Sequence, residues 1–315
     1  MLEQKLSYEP KKRSWLRNAV IGLTVGLAAL VGGCEGCGES SGEGRIGFSS
    51  YGTDADSLYT MKKDGMDVKE LSISIDRALG RSIFCVAPKK KVVFYMNDKD
   101  RGLYSANLDG SNIQKMNCLI KGESIKGYVD WISSSAEGKR LAIVYWNKVY
   151  IFNVKNSNLE ETSSIPADRD ILGFALSPDG NKVAYSVGNA LYVIDINTSE
   201  KHRIFDSPSE TSIQEGISWS PDGKKIAYTW GKFGWGIGYN DKNIFVIDST
   251  GGASTQITQG DVRNMNPSWS RDGKKIIFER QRGGSKTLVL IDIENKTEII
   301  LPTDGRLGNG FPFSY

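Results

Sequence analysis

The chain has 315 residues, of which 40 are Lys or Arg and 37 are Asp or Glu, and its formal net charge is +3. Residues 1–33 hold the whole basic surplus, so the remainder carries no net charge, and its overall charge gives no indication of nucleic-acid binding. The chain has a single C-x-x-C pattern and only one histidine, so no usual tetrahedral zinc ligand set can be assembled and no metal site is expected.

The first predicted element is a secretory signal over residues 1–33. A basic segment precedes the apolar run 19–30, and small residues follow it, which is the order found in signal peptides. The run is too short for a membrane span, which needs about 20 apolar residues. Val31-Gly32-Gly33-Cys34 resembles a bacterial lipobox, which implies a lipid anchor on Cys34. An uncleaved membrane anchor is the alternative.

Residues 34–44 are predicted to be the lipidated cysteine and a flexible tether, because the segment is mostly Gly, Ser and Glu. Cys34 and Cys37 form a C-x-x-C pattern, but no second pair accompanies it, so metal or redox use is not favoured. Cys85 falls in an opening strand and Cys118 near the end of the outer strand of the same unit, about 14 Å away at ordinary strand spacing. We therefore expect buried free thiols at both positions.

One pattern repeats through the rest of the chain. The clearest copies are Gly216–Tyr228 and Pro267–Phe278, in which a strand, an Asp-Gly turn and a second strand precede a third strand ending in Ile-Asp. The second strand of each unit is predicted to begin near one of six positions: Ile46, Val92, Leu141, Val183, Ile226 and Ile276. Four short strands at a period of about 40–50 residues indicate a β-propeller blade.

The two ends of the repeat region predict how the blades close. The first unit lacks an opening strand and begins at Arg45, whereas the last residues, Gly310–Tyr315, align with the opening strand Gly216–Ser220. We therefore predict that residues 45–315 form one all-β domain, a six-bladed β-propeller of four-stranded blades. In this prediction the C-terminal strand completes the first blade and closes the ring, which hides the open sheet edges.

The repeat resembles the PD40 (WD40-like) repeat of TolB-type propellers. Ser220-Pro221-Asp222-Gly223-Lys224-Lys225-Ile226-Ala227-Tyr228, followed by Ile244–Asp248, carries the resemblance. It covers roughly residues 44–315 and is strong in the last three units, whereas Ala87-Pro88-Lys89-Lys90 and Ala136-Glu137-Gly138 depart from the turn. The chain resembles only the propeller of TolB, without its N-terminal α/β domain. The resemblance implies a peptidoglycan-associated lipoprotein as a class of partner.

The residues do not predict catalysis. His202 is the only histidine and is predicted on an exposed outer strand of the fourth unit. Most candidate acids belong to the repeat, in its turns or at the ends of its third strands: Asp179, Asp222, Asp272, Asp195, Asp248 and Asp292. There is no P-loop or dinucleotide-binding fingerprint, so no cofactor is expected. A pair of catalytic carboxylates needs no sequence signature and stays open.

The largest departure from the repeat is an aromatic insertion between the second and third strands of the fifth unit. In a propeller this link lies on the same face as the links between blades, and that face is predicted to bind. The predicted contact residues are Trp230, Phe233, Trp235, Tyr239 and Asp241. Aromatic side chains on a glycine-rich loop supply contact area for a protein or a sugar. The alternative is that the insertion packs on the ring. Trp219 and Trp269, in opening strands, are predicted to pack between blades.

The combined prediction is a bacterial cell-envelope lipoprotein facing the periplasm or the cell exterior. Its propeller is expected to be a non-catalytic module that binds or scaffolds an envelope protein, and no nucleic acid is expected as a partner. The first alternative is a propeller that binds a carbohydrate or acts on one as a hydrolase or lyase. The second is a degenerate sensor or assembly factor that uses the ring for homo-oligomerisation.

Overall fold

Every regular element that the structure describes is a β-strand. The computed structural model of the chain describes residues 45–51, 56–62, 67, 69–75, 77–78, 81–97, 99–120, 122–125, 129–146, 148–166, 171–208, 211–232, 242–260, 262–282, 285–301 and 313–314. The predicted signal, Cys34 and the tether lie outside these residues.

The strands follow the predicted repeat units in chain order. The first three units and their connections contain β1 (Arg45–Tyr51), β2 (Asp56–Lys62), β3 (Lys69–Ile75), β4 (Arg77–Ala78), β5 (Arg81–Ser82), β6 (Phe84–Ala87), β7 (Val92–Met96), β8 (Leu103–Asn107), β9 (Gln114–Lys115), β10 (Asn117–Ile120), β11 (Glu123–Ser124), β12 (Trp131–Ser134), β13 (Arg140–Tyr145), β14 (Lys148–Lys155) and β15 (Asn158–Pro166).

The last three units and the tail contain β16 (Ile171–Leu176), β17 (Lys182–Val187), β18 (Ala190–Asp195), β19 (Lys201–Asp206), β20 (Thr211–Trp219), β21 (Lys225–Lys232), β22 (Lys242–Asp248), β23 (Thr255–Gln256), β24 (Arg263–Trp269), β25 (Lys275–Arg282), β26 (Ser285–Asp292), β27 (Glu298–Leu301) and β28 (Phe313–Ser314). The second strands therefore begin at the positions that the repeat predicts, or one residue before them.

Within each unit the strands pair antiparallel in chain order, as in β16-β17-β18-β19, and a parallel pair between Lys242 and Arg263 joins the fifth and sixth units into one sheet. The first unit differs, because its order is β28-β1-β2-β3. The tail strand β28 pairs with β1 through Ser49 opposite Ser314 and Ser50 opposite Phe313. It also contacts β25 and β26 of the last unit. The tail strand β28 therefore lies beside β1, on the edge of this sheet opposite β3.

The hydrophobic core lies between neighbouring sheets. One buried cluster joins Val144 and Ile151 of the third unit to Phe174 and Tyr185 of the fourth, and similar clusters join the other consecutive pairs. A sheet packed on both sides needs apolar residues on both faces, which explains the nearly continuous apolar runs in the second strands. The Trp219 indole Nε1 donates to the Ala175 carbonyl at 3.1 Å, so the predicted packing of this tryptophan between units is confirmed.

The turns between first and second strands form a continuous row, which we call the turn ring: residues 88–91, 135–140, 177–182, 220–225 and 270–275. The Lys89 amide donates to the Ala136 carbonyl at 2.9 Å, and the Ala136 amide donates to the Pro178 carbonyl at 2.9 Å. The turns of the second and third units keep this geometry although their sequences have eroded. Lys91 adopts φ 57° in one and Gly138 adopts φ 64° in the other.

The two cysteines in the described residues are free and buried, as predicted. Burial raises the pKa of the Cys85 thiol and that of the Cys118 thiol to about 12, so both are inert. The strand carrying Cys118 differs from expectation, because β10 pairs in parallel with β15 of the third unit instead of ending the outer strand of the second. The buried side chains of Cys118 and Ile120 explain this, since they join the core shared by these two units.

Candidate functional site

Strand direction distinguishes two faces of the molecule. In each unit the link between second and third strands lies on the face where the fourth strand ends. A bridge joins Ile75, at the end of β3, to Asn97, just after β7, so neighbouring units share this arrangement. We call this the link face. The opposite face, which carries the turn ring and the third-to-fourth turns, is the turn face.

Trp146 is the most exposed large apolar side chain among the described residues. It lies on the link face, at the tip of the hairpin between β13 and β14, and is 76% exposed. Its ring meets that of Tyr145 edge-on, with centroids 6.3 Å apart. Its backbone is left-handed, with φ 49°, which costs on the order of 1–2 kcal/mol at a residue with a side chain. Strained backbone conformations cluster at functional sites, so the exposed Trp146 is a candidate contact residue.

Trp230, a predicted contact residue, is in β21 and half-buried. Its ring packs against Phe245, with centroids 4.6 Å apart, and against Phe205 of the fourth unit at 5.1 Å. The indole Nε1 is buried without an acceptor among the described residues. Trp230 therefore anchors the base of the insertion between two units. The other predicted contact residues, Phe233, Trp235, Tyr239 and Asp241, lie outside the described residues.

A polar network joins β22, the strand that follows the insertion, to β24 and β25 of the sixth unit. The Asn243 Oδ1 accepts from the Thr258 hydroxyl and from the Asn264 Nδ2, each at 3.0 Å. The Asn264 Oδ1 in turn accepts from the Arg280 Nε at 2.8 Å, and Arg280 forms a two-pronged ion pair with Glu298. This chain of bonds crosses from the fifth unit to the sixth. Satisfied buried networks rigidify their surroundings, so the insertion leaves from a firm base.

Two opening strands are irregular close to this base. The pairing of β20 with β21 shifts between Ile213 and Ile217, and that of β24 with β25 shifts between Met265 and Ser268. The irregularities meet at Gly216, where an added Cβ would lie 2.6 Å from the Asn266 Cα. Only glycine permits this approach, and its φ of 88° also requires it.

The repeated acids are occupied by their own turns, as predicted. The Asp222 Oδ1 accepts from the Ser220 hydroxyl at 2.6 Å and from the Lys224 amide at 3.1 Å, and these bonds lower the pKa of its carboxyl group. Asp195 accepts from two backbone amides that follow it, which lowers its pKa as well. Asp248 differs, because its backbone carbonyl accepts from the Gly251 amide in a turn with φ 95° at that glycine.

His202 is exposed on β19, the outer strand of the fourth unit, as predicted. Its Nε2 lies 3.0 Å from a Glu200 carboxyl oxygen. Among the described residues, no group of three His, Cys, Asp or Glu side chains could hold a metal ion. The described part of the chain contains no helix with the length and apolarity to cross a bilayer.

Sequence reasoning missed Trp146, although the repeat contained the signal. Trp146-Asn147 stands where the fourth unit has Gly188-Asn189. A two-residue link of this kind favours Gly or Asn, since it needs positive φ. A tryptophan in that place breaks the local rule, and a broken rule on an exposed tip indicates function.

The sequence matches the family described as the TolB beta propeller domain over residues 90–310. No curated protein matches the chain. Among solved structures, TolB from Acinetobacter baumannii is similar with a TM-score of 0.61 and 18% identity, over 82% of this chain and 64% of that one. This chain therefore spans less than two thirds of that TolB.

Two further structures share the fold. A TolB-type protein from Agrobacterium tumefaciens has a TM-score of 0.58 and 18% identity, over 80% of this chain and 90% of that one. Oligogalacturonate lyase in complex with manganese has a TM-score of 0.55 and 12% identity, over 81% of this chain and 73% of that one. At such identities the likeness shows the β-propeller fold alone. Because the family match covers more than half of the sequence, the chain belongs to the TolB beta propeller domain family.

Proposed function

We propose that the protein is a bacterial cell-envelope lipoprotein whose propeller binds a protein partner and does not catalyse a reaction. The observation that carries this proposal is the exposed, conformationally strained Trp146 on the link face. Tryptophan is enriched among the residues that dominate protein–protein binding energies. The aromatic insertion leaves from the same face. The anchor in this proposal is Cys34, from its lipobox-like setting.

The proposal includes the architecture that presents this face. We propose six blades closed into a ring, with β28 as the opening strand of the first blade. The pairing of β28 with β1 and its contacts with β25 and β26 support this closure, because the tail then touches both the first and the last unit. A closed ring is stiff, so loops on one face keep fixed positions relative to one another.

The electrostatics of six described acids suit structural roles. These carboxyl groups have a lowered pKa: Asp100, Asp109, Glu137, Asp179, Asp195 and Asp222. A general acid in a glycosidase requires a raised pKa. Hydrogen bonds from hydroxyl, ammonium or backbone groups keep these side chains ionised, as a turn or an ion pair requires.

A carbohydrate-binding or carbohydrate-active propeller is the second candidate function. The fold shared with oligogalacturonate lyase favours it, since that protein is by its name a lyase of an oligogalacturonate. In this reading the aromatic side chains of the link face would stack on sugar rings. The two functions predict different ligands for Trp146, and one capture experiment separates them.

The test is crosslinking in intact envelopes followed by mass spectrometry, comparing wild type, Trp146→Ala and Ile300→Ala. Ile300 is 64% exposed on the outer strand of the sixth unit, so it is a matched exposed apolar control. We expect one protein to crosslink to wild type and Ile300→Ala and to be lost from Trp146→Ala, since removal of such an anchor costs about 2 kcal/mol or more of binding. Equal capture by all three would contradict a site at Trp146. Sugar binding without any captured protein would favour the second function.

A further inference from the structure

The turn ring is strongly basic, whereas residues 34–315 as a whole carry no net charge. It contains eleven basic and four acidic residues. The basic residues are Lys89, Lys90, Lys91, Lys139, Arg140, Lys182, Lys224, Lys225, Arg271, Lys274 and Lys275, and the acidic ones are Glu137, Asp179, Asp222 and Asp272. A cluster of this kind creates a local positive potential on a molecule without net charge.

Several of these cations are available to a partner. Lys90, Lys91, Lys224 and Lys274 are exposed, and none has an ion-pair partner among the described residues. Glu137 is already shared, since its carboxylate contacts Lys139 at 2.8 Å and Lys89 at 3.6 Å.

The remaining acids of the turn ring are held by their own turns. The Asp179 and Asp272 carboxylates accept from Ser177 and Ser270, as Asp222 does from Ser220. The third-to-fourth turns farther out on the same face carry more acidic than basic residues, among them Asp109, Glu200 and Glu294, so the positive potential is confined to the turn ring.

The first described strand begins on this same face. In the first unit β1 occupies the second-strand position, and second strands start at the turn ring. The bridge from Ile75 to Asn97 places the end of β3 on the link face. Because β1, β2 and β3 alternate in direction, the start of β1 at Arg45 lies on the opposite face, the turn face. The chain that leads back to Cys34 leaves from the basic side.

The chain between the anchor and the propeller is short. Arg45 is eleven residues after Cys34, and eleven extended residues span at most about 40 Å. If Cys34 carries lipid, Arg45 cannot lie farther than this from the membrane surface. This step rests on the lipid anchor of the proposed function.

We propose that the turn face docks on an anionic lipid surface. The anchor holds the turn ring within reach of the headgroups, and the unpaired lysines are attracted to their negative charge. The attraction falls off within a Debye length of about 10 Å, so it acts only when the face lies close to the membrane. The link face, with Trp146 and the insertion, then points away from the membrane and toward a partner.

The full chain is isolated from its own membranes and reconstituted on two kinds of vesicle, and the acetylation rates of its lysines are compared between them. One kind is phosphatidylcholine alone, and in the other about a third of the lipid is phosphatidylglycerol. Lysine acetylation is followed by peptide mass spectrometry. We expect labelling of Lys90, Lys91, Lys224 and Lys274 to slow about fivefold or more on the anionic vesicles and to recover at high salt. Labelling of Lys99 and Lys148, exposed on the link face, should be the same on both.

Charge reversal supplies the matched control. Lys90→Glu with Lys224→Glu should remove the slowing at the other turn-ring lysines, whereas Lys99→Glu with Lys148→Glu, with the same change in net charge, should retain it. Equal labelling on both vesicles, or slowing on the link face instead, would overturn the proposed docking.

The mass of the N-terminal peptide shows independently whether Cys34 is acylated. An acylated chain with equal labelling overturns the docking face and leaves the anchor standing. A chain without acyl groups that still labels asymmetrically on anionic vesicles overturns the anchor and supports the docking face.

Discussion

At the scale of the residue, the serine of the repeated turn holds that turn together through two hydrogen bonds. The Ser220 hydroxyl donates to Asp222 and also accepts from the Lys225 amide at 2.9 Å, so it closes both ends of the turn. Ser177 and Ser270 do the same in their units. These buried bonds satisfy backbone groups where two strands meet, which is why the motif recurs.

The lowered pKa of Asp222 predicts a pH dependence of stability. Its ordinary value is 3.8, and the Ser220 hydroxyl bond is the main reason that the folded value is lower. Stabilisation by the ionised group is therefore complete above that ordinary value and is lost as the pH falls through the folded pKa. We expect Asp222→Asn to have a lower urea midpoint than wild type near neutral pH, and the difference to shrink on acidification. A difference that grows in acid would contradict this assignment.

Gly216 predicts a steric effect that its backbone angle alone does not explain. Gly216→Ala places a Cβ 2.6 Å from the Asn266 Cα, and backbone atoms cannot move aside cheaply. Gly122 has a similar φ of 81° with open space around it, so Gly122→Ala is a control for the angle alone. We expect Gly216→Ala to lose about 2 kcal/mol more of unfolding free energy than the control, measured by urea denaturation. Equal losses would show that no close contact exists.

At the scale of the element, the tips of the hairpins between second and third strands differ between units. Most links serve the blade, as Gly188 at φ 58° does between β17 and β18. The corresponding tip with Trp146 accepts a strained backbone and exposes an apolar ring. Strain of this kind persists only where the surrounding strands determine the conformation, and β13 and β14 pair over six positions without irregularity.

This hairpin predicts opposite effects on stability and binding. Trp146→Gly should keep or raise the free energy of unfolding, by up to about 1 kcal/mol, because glycine adopts positive φ without strain. The same change should abolish capture of the partner. Trp146→Ala separates the two effects, since alanine removes the ring and keeps the strain. A marked loss of stability in Trp146→Gly would show that the ring is a packing residue.

At the scale of the whole molecule, the tail strand decides whether the sheets form a ring. In the proposed closure β28 gives the first blade its opening strand and contacts the last unit. Every blade then packs on two neighbours, so that no terminal sheet leaves an apolar face uncovered.

Deletion of Gly310–Tyr315 is therefore expected to destabilise the entire domain and to lower its melting temperature by more than 10 °C, on the order of several kcal/mol. Deletion of Tyr315 alone, which lies beyond β28, is the control and should have little effect. A melting temperature unchanged by the longer deletion would refute closure through the tail.

The sequence by itself determined the class of fold, because a recurring turn and short apolar strands repeat the same local rules along the chain. It located the second strands, the structural duties of Asp222 and Asp195, the exposed His202 and the buried thiols. Local chemistry decides each of these. It did not reveal Trp146 as the exposed tip, the packing of Trp230 between units, or the crossing of β10 to the third unit.

Only the tertiary structure decided those features, since they depend on which strands meet after the chain has travelled through other units. The turn ring is the clearest case. Its lysines are scattered over almost two hundred residues, and they share one face because consecutive sheets stack with their turns in contact. The start of β1 lies on the same face as these lysines because of the direction in which β1, β2 and β3 pair, and that direction cannot be read from the sequence.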